Sequence, residues 1–328
     1  MRFKKYGNTP KNKERFKAFG ALSEIQAYLF MKSLLFFLLF YGHLYAQVPL
    51  AEKITKLRPD TPWKQVAAVK LQFPSFHPQG MVKIGDYFFM SSVEVTRKRQ
   101  NNDGGEGIGH LFKFDSVGKL ITKITLGEGL IYHPGGIDFD GQFIWVPVAE
   151  YRPNSRSIIY KVDPKTMKAT EVMRFEEHLG GIVHNTDAHT LHAVSWGSRS
   201  FYQWKLNAGG NVTNAAVSPE QLRVNNPSYY IDYQDCHYLG QHKMLCGGLR
   251  SYKTSPESVA FRLGGLEVIN LMDNRPIHQV PLLLWSPTGA PMTNNPFWIE
   301  ATTEGLRAYF VPDDDVASTL FMYEAVMN

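Results

Sequence analysis

Hydrophobic and polar residues alternate in short runs over most of the chain, and Gly, Pro, Asn or Asp separate one run from the next. Residues 133–150, "HPGGIDFDGQFIWVPVAE", show a turn, a strand, an Asp-Gly tip, a second strand and a closing carboxylate. Such alternation is typical of β-strands with one buried side, and runs with helical spacing are scarce. The pattern therefore predicts an all-β fold built from hairpins.

The hairpins recur along the chain. An equivalent apolar residue marks the first strand of each, with spacings of 56, 45, 49 and 68 residues: Met81, Ile137, Ile182, Ile231 and Ile299. A second pair of strands follows each hairpin. Four antiparallel strands in each repeat of about 50 residues predict a β-propeller with five blades. A β-sandwich is the alternative, but it does not account for the repetition.

The last repeat is one strand short. It ends in "STLFMYEAVMN" at residues 318–328 and contains only three strands. Residues 63–73, "WKQVAAVKLQF", alternate as a strand should and can supply the missing outer strand. We therefore expect this N-terminal strand to close the ring, which also removes two exposed sheet edges.

The first 46 residues have the features of a leader. From Met31 a lysine, an apolar run and the small residue Ala46 follow one another, which predicts a signal peptide at residues 31–46. We interpret residues 1–30 as an over-extended start, and a membrane anchor is the competing interpretation. Residues 47–328 then form one propeller domain, periplasmic or secreted, with no membrane span.

The positive charge of the chain belongs to this leader. Residues 1–46 carry 8 Lys or Arg and 2 Asp or Glu, whereas the remainder carries 27 and 28. The domain has no basic excess for a phosphate backbone, so we expect a small-molecule ligand and no nucleic-acid partner. We expect the domain to act as a monomer.

The two cysteines, Cys236 and Cys246, lie symmetrically about the tip "LGQH" of one hairpin. Export would permit a disulfide between them. Two small buried thiols on neighbouring strands are the alternative.

Equivalent positions in different blades point to one ligand-binding face. His77 aligns with His133, Glu94 aligns with Glu150, and His178 is a weaker third copy of the histidine. The start of an inner strand and the end of the next strand lie at the same face of a blade. That face would also hold Arg250 and residues 313–315, "DDD".

This mixture of side chains suits a small polar or anionic ligand. Glu94 and Glu150 could also bind a cation, and Ca²⁺ would be the natural choice for carboxylates and water. In the alternative interpretation the histidines cap turns, and the carboxylates pair with Arg152, Arg156 or Arg199.

Three carboxylates fall on predicted inner strands: Asp138, Asp232 and Glu300. Paired carboxylates of unequal pKa are what glycoside hydrolysis requires, which makes these residues the catalytic candidates. They could instead hydrogen-bond water or a neighbouring blade. A glycine-rich loop at residues 102–110 lacks the context of a dinucleotide site. The histidines of "HNTDAHTLH", residues 184–192, lack ligands to complete a zinc site.

The segment "HPGGIDFDGQFIWVPVAEY", residues 133–151, resembles a family of exported bacterial proteins of unknown function. More distantly, the blades are similar to gluconolactonase and strictosidine-synthase-like propellers. The resemblance implies a propeller and no activity. Three functions stay open: a hydrolase or lactonase-type enzyme, a binding module for a sugar or peptide, and a scaffold for an envelope protein. Aromatic residues at the rim, such as Tyr151 and Trp196, would favour the binding module.

Overall fold

A computed structural model of the chain describes residues 49–100, 103–315 and 318–327. The helical elements that lie wholly within these residues are α1 (Leu50–Ile54), α2 (Pro219–Leu222) and two 3-10 turns at Trp196–Ser198 and Met292–Asn294. Among the described residues, none of the helices has the length and apolar character needed to cross a bilayer. The predicted leader, residues 1–46, lies outside the described residues.

The strands form five antiparallel sheets, each a blade of the propeller, which confirms the predicted fold class. After β1 (Trp63–Lys70), which belongs to blade 5, the chain builds the blades in order. Blade 1 contains β2 (His77–Ile84), β3 (Tyr87–Arg97), β4 (Glu106–Asp115) and β5 (Leu120–Leu126). Blade 2 contains β6 (Ile131–Pro134), β7 (Asp138–Phe139), β8 (Ile144–Glu150), β9 (Ser157–Val162) and β10 (Ala169–Phe175). Its inner strand is split into β6 and β7, which both pair with β8.

The remaining blades follow the same plan. Blade 3 contains β11 (Leu179–Asn185), β12 (Thr190–Ser195), β13 (Ser200–Lys205) and β14 (Val224–Asn225). Blade 4 contains β15 (Asp232–Gly240), β16 (Lys243–Tyr252), β17 (Phe261–Asn270) and β18 (Arg275–Leu282). Blade 5 contains β19 (Phe297–Ala301), β20 (Gly305–Phe310) and β21 (Thr319–Val326), with β1 as its outer strand.

The N-terminal strand closes the ring as predicted. β1 pairs antiparallel with β21, from Trp63 opposite Ala325 to Lys70 opposite Thr319. The strand ends three residues before the predicted limit of Phe73, whose ring instead packs 5.0 Å from that of Phe112 in blade 1. Blade 5 therefore joins both ends of the described chain by backbone hydrogen bonds.

Packing between neighbouring blades explains why some strands are apolar along their whole length. Every residue of β8 is buried, because blades 1 and 3 cover its two faces. Ile144 and Val146 pack with Phe89 of blade 1, whereas Trp145 packs with Trp204 of blade 3. Complete burial of one such side chain contributes roughly 1.5–3 kcal/mol, so these interfaces stabilise the ring.

Contacts between inner strands on opposite sides fill the ring axis with protein. Asp235 of blade 4 accepts hydrogen bonds from the backbone N–H of Met81 in blade 1, at 2.9 Å, and of Ile137 in blade 2, at 3.0 Å. The approach requires glycine at position 80, because a Cβ there would lie 2.5 Å from the backbone nitrogen of Ile137. Asp138 acts similarly, accepting from the backbone N–H of His184 and Tyr238 at 3.0 and 3.1 Å.

The two cysteines lie directly opposite each other on β15 and β16, with their Cα atoms 4.1 Å apart. The structure joins Cys236 and Cys246 in a disulfide, and both residues are buried. Because Cys236 follows Asp235, this cross-link holds the strand that carries the axial carboxylate.

Candidate functional site

A bowl of ≈ 290 Å³ opens on the face of the ring where the inner strands begin. The inner strands β2 and β6 and the residue directly before β11 supply its histidines. The residues directly after β8 and β12 supply two aromatic rings. We call it the histidine bowl. Its lining residues are His77, Gln79, His133, Tyr151, His178, Gly180, Ser195, Trp196, Gly197, Asp232, Tyr233 and Gln234.

The structure brings the three predicted histidines together. The ring centre of His133 lies 6.4 Å from that of His77 and 6.0 Å from that of His178. The same ring stacks on Tyr151, with a centre-to-centre distance of 4.1 Å. Three blades thus place equivalent side chains at one end of the ring, as their alignment in sequence predicts.

The three imidazoles differ in their polar partners. Nδ1 of His77 lies 2.9 Å from Oδ1 of Asp314, and Nδ1 of His178 donates to the backbone carbonyl of Glu150 at 2.9 Å. Nε2 of His133 is buried and has no hydrogen-bond partner among the described residues. A buried polar atom without a partner costs about 1–3 kcal/mol, so a ligand hydroxyl that reached this nitrogen would relieve that cost.

Burial keeps the two inner imidazoles uncharged. It lowers the pKa of His133 well below its ordinary value, and the neighbouring His178 and His77 add to the effect. Burial also lowers the pKa of His178 to about 4. Both rings are neutral at pH 7. A neutral imidazole carries one N–H donor and one acceptor nitrogen, which complements a hydroxyl group.

A cation lies over the aromatic rim of the bowl. Arg99, in the loop after β3, places its guanidinium carbon 5.2 Å from the ring centre of Tyr151 and 5.0 Å from that of Trp196. Among the described residues, Arg99 forms no ion pair with a carboxylate. The mouth of the bowl therefore carries a positive charge that has no acidic partner within the part of the chain that the structure describes.

Asp232 is the one predicted catalytic carboxylate that lines the bowl. It is neutralised by two arginines, since Arg199 lies 3.0 Å and Arg250 lies 3.1 Å from its Oδ1. The predicted ligand residue Arg250 thus contacts Asp232 and is not among the lining residues. Two cations on one carboxylate leave a positive balance at this wall.

The predicted glutamates are not part of the bowl lining. Glu150 is buried, and its two oxygens bind Arg152 and Arg156 at 2.7 Å each. Glu94 instead lies 3.0 Å from Nε2 of His110 within its own blade. The prediction that these carboxylates meet at one ligand therefore needs correction, because each has a nearer cationic or imidazole partner.

The calcium hypothesis gains no support from these positions. Glu150 is already matched by two guanidinium groups, which would repel a cation. Within residues 49–100, 103–315 and 318–327, no group of three or more His, Cys, Asp or Glu side chains is placed to hold a metal ion.

The other two catalytic candidates lie apart from the bowl. Asp138 is buried at the axis, where backbone N–H groups of blades 3 and 4 occupy its carboxylate. Glu300 accepts from Lys83 at 3.1 Å and from the Tyr309 hydroxyl at 2.6 Å. The structure therefore does not gather Asp138, Asp232 and Glu300 into one catalytic group.

The remaining acidic residues and histidines considered in the sequence lie on two different faces of the ring. Of the three aspartates near position 314, Asp314 alone binds a bowl histidine, while Asp313 accepts from Ser286 at 3.0 Å. His184 lies at the opposite face, where its Nδ1 binds Asp140 at 2.8 Å beside a cavity of ≈ 450 Å³. This pairing joins blades 2 and 3, and the carboxylate partner was not foreseen.

Sequence reasoning also missed residues that matter here. Asp235 is separated from its partners Met81 and Ile137 by 154 and 98 residues, so no local pattern identifies it. Arg99 lies in the basic run "TRKRQ", residues 96–100, but the run does not show which cation meets the aromatic rings. Gln79 follows the His-Pro pair and could have been noted from its position alone.

The chain belongs to a family of unknown function, DUF6454, whose model matches residues 38–328. This confirms the resemblance inferred from residues 133–151. Among proteins of curated function, none matches the chain.

Several solved structures are similar in part. Hydrazine synthase of Kuenenia stuttgartiensis has 13% identity and a TM-score of 0.34, over 75% of this chain and 58% of that one. A tail fibre of Staphylococcus aureus phage P68 has 11% identity and a TM-score of 0.46, over 84% and 56%. A periplasmic gluconolactonase of Pseudomonas aeruginosa has 13% identity and a TM-score of 0.37, over 76% and 89%. The chain thus spans little more than half of the first two, and no residue role is carried over.

Proposed function

We propose that this protein binds a small hydroxylated carboxylate, of the sugar-acid class, in the histidine bowl. The observation that carries the proposal is Arg99, a cation held over Tyr151 and Trp196 without a carboxylate partner among the described residues. A ligand carboxylate at the mouth would supply that partner. Charge-assisted hydrogen bonds of this kind are about twice as strong as neutral ones.

The interior of the bowl suits the hydroxyl groups of the same ligand. His133 and His178 are neutral and offer donors and acceptors, and Nε2 of His133 has no partner among the described residues. Side-chain amides of Gln79 and Gln234 also line the cavity. The aromatic faces of the rim can pack on the apolar face of a sugar ring.

Calorimetric titration with D-gluconate, D-glucuronate and neutral D-glucose tests the proposal. We expect the two acids to bind and glucose to bind at least about tenfold more weakly, with the acid affinity falling as salt rises. Arg99→Ala should remove the preference for acids. The matched control is Lys98→Ala, which removes an exposed charge from the same loop and should change nothing. Equal affinity for glucose and gluconate would reject the anionic ligand.

A second candidate function, a hydrolase or lactonase-type enzyme, rests on the His77–Asp314 pair. Asp314 accepts from Asn295 at 2.8 Å and lies 2.9 Å from Nδ1 of His77, which fixes the ring and leaves Nε2 as a base. That base could take a proton from water attacking a lactone carbonyl. The ring C–O bond would then break, the imidazolium would return its proton to the leaving alkoxide, and the product would be an open-chain sugar acid.

Hydrolysis of D-glucono-δ-lactone above the spontaneous rate tests this candidate. General-base catalysis contributes about 10²–10⁴-fold, so His77→Gln should remove most of the acceleration while gluconate still binds. His189→Gln, an exposed histidine on the opposite face, is the control. A rate equal to the spontaneous rate with wild-type protein would leave a binding protein without catalysis.

We also propose that the protein works outside the cytoplasm. The buried Cys236–Cys246 disulfide supports this, since such bonds persist mainly in oxidising compartments. Thiol titration of protein recovered from the periplasm or medium, unfolded without reductant, should find no free thiol.

A further inference from the structure

A second cavity adjoins the histidine bowl on the same face. It measures ≈ 550 Å³, and the two cavities share Ser195 and Trp196 as lining residues. We call it the annex. Trp196 therefore stands at the junction of one continuous groove, which runs from the inner strands of blades 1–3 outward over blade 3.

The annex repeats the charge character of the bowl. Arg199 and Arg223 line it together with one carboxylate, Glu177, whose Oε2 lies 3.2 Å from Arg223. Both arginine side chains remain partly exposed, at 34% and 40%. Arg199 also contacts Asp232 of the bowl wall, so Arg199, Arg223 and Arg250 together face two carboxylates and leave one net positive charge where the two cavities meet. With Arg99 at the bowl, the groove offers positive charge at two separate places.

Aromatic rings mark the same path. Tyr229 lines the annex, is 68% exposed, and its ring centre lies 4.8 Å from the guanidinium of Arg199. Tyr229, Trp196 and Tyr151 thus serve the annex, the junction and the bowl in turn. Each ring is paired with a nearby arginine, so each place along the groove combines a flat apolar face with a positive charge.

The neighbouring sheet edge disfavours an extended peptide as the occupant. An extended peptide can bind a β-protein by adding a strand to an exposed sheet edge. The edge strand beside the annex, β14, is only two residues long, Val224–Asn225, and it pairs with β13 through two residues. A ligand held by ring faces and carboxylate contacts fits the groove better than one held by backbone hydrogen bonds.

We infer that the bowl and the annex together bind an acidic oligosaccharide of at least two units, one sugar acid in each cavity. The inference rests on the proposed sugar-acid function of the bowl and extends it to a second unit. Linking two weak contacts in one ligand raises affinity through effective concentration, without any change in either contact.

Titration with galacturonate, its dimer and its trimer, compared at two salt concentrations, measures the effect. We expect the dimer to bind at least about tenfold more tightly than the monomer. Tyr229→Ala should remove most of this gain and leave monomer affinity unchanged. The matched control is Tyr252→Ala, an exposed tyrosine that lines neither cavity. It should keep the full gain.

The outcomes separate this inference from the proposed function. Monomer binding without a gain for the dimer would overturn the annex as a subsite and leave the bowl intact. Absence of binding by every galacturonate while gluconate still binds would overturn the oligosaccharide and leave the bowl intact, whereas absence of binding by gluconate as well would overturn both. If the affinity of tetraglutamate exceeded that of glutamate by a larger factor than the galacturonate oligomers exceed their monomer, the carbohydrate would be overturned as the occupant. Loss of the gain in Tyr252→Ala as well as in Tyr229→Ala would show an indirect effect and overturn the assignment.

Discussion

The ring axis and the histidine bowl both place polar side chains among buried residues, but their polar groups are satisfied differently. At the axis, Asp235 and Asp138 each accept hydrogen bonds from the backbones of other blades. In the bowl, Nε2 of His133 has no partner among the described residues, and Arg99 has no carboxylate there. Buried groups whose bonds are complete hold the fold together, whereas incomplete ones mark where a ligand can contribute.

The largest loss of stability should come from disrupting the hydrogen bonds at the ring axis. Asp235→Asn keeps the shape but replaces an acceptor with a donor facing backbone N–H groups, beside the imidazole of His237 at 3.3 Å. Breaking a buried network of this kind costs about 3–5 kcal/mol. We expect that loss in urea-induced unfolding, or loss of soluble protein if stability is exhausted.

Asp86→Asn is the control for this change, because Asp86 is exposed at the tip of the first hairpin. It should leave unfolding unaltered. If Asp235→Asn were as stable as Asp86→Asn, the axial hydrogen bonds would not hold the ring together.

A smaller loss of stability should distinguish Glu150 from Glu94, the two glutamates that align in sequence. Glu150→Gln leaves two arginines facing a buried neutral amide, and we expect a loss of about 2–3 kcal/mol. Glu94→Gln, at a side chain that is 33% exposed and paired with His110, should cost less than about 1 kcal/mol. Chemical denaturation of both variants measures the difference. Equal losses would contradict the structural role assigned to Glu150.

The pH dependence of stability should differ in sign between the two regions. The pKa of His178 is lowered by burial to about 4, so its contribution is present above about pH 6.5 and is lost as pH falls towards 4. Burial raises the pKa of Asp138 to about 6, so its contribution is present below about pH 4 and is lost as pH rises towards 6.

His178→Gln should therefore reduce the loss of stability on going from pH 7 to pH 5 by about 1–2 kcal/mol. Asp138→Asn should change the profile in the opposite direction over pH 4–6. Thermal unfolding at pH 4, 5, 6 and 7 measures both profiles. Parallel profiles for wild type and both variants would contradict the assigned environments.

The smallest effect on stability, with a large effect on binding, should come from the bowl. His133→Phe keeps an aromatic ring against Tyr151 and removes the nitrogen that has no partner among the described residues. Replacing an unsatisfied polar group by an apolar one of similar shape is close to neutral, so unfolding should shift by less than about 0.5 kcal/mol. Gluconate affinity should fall at least about tenfold. A destabilised variant that still bound gluconate would reverse the contrast between axis and bowl.

The fold could be predicted from the sequence because the patterns that indicate it are local and repeated. Strand alternation, turn residues and the missing strand of the last repeat predict the five blades and the pairing of β1 with β21. The approach of His77, His133 and His178 follows from the same logic, since equivalent positions in neighbouring blades occupy equivalent places. The partners of Glu94 and Glu150 could not be predicted in this way, because the pairing of a side chain depends on which groups lie within a few ångströms of it in space.

The sequence alone determined the propeller, its closure and the face on which polar residues collect, since period-two burial and repeat spacing depend on residues close together in the chain. Only the tertiary structure decided which of those polar residues hold the fold and which remain available. The sequence pattern made Asp138 a catalytic candidate on an inner strand, but its carboxylate accepts hydrogen bonds from the backbone N–H groups of His184 and Tyr238. Hydrogen bonding and desolvation act over a few ångströms in space, and these partners lie 46 and 100 residues away along the chain.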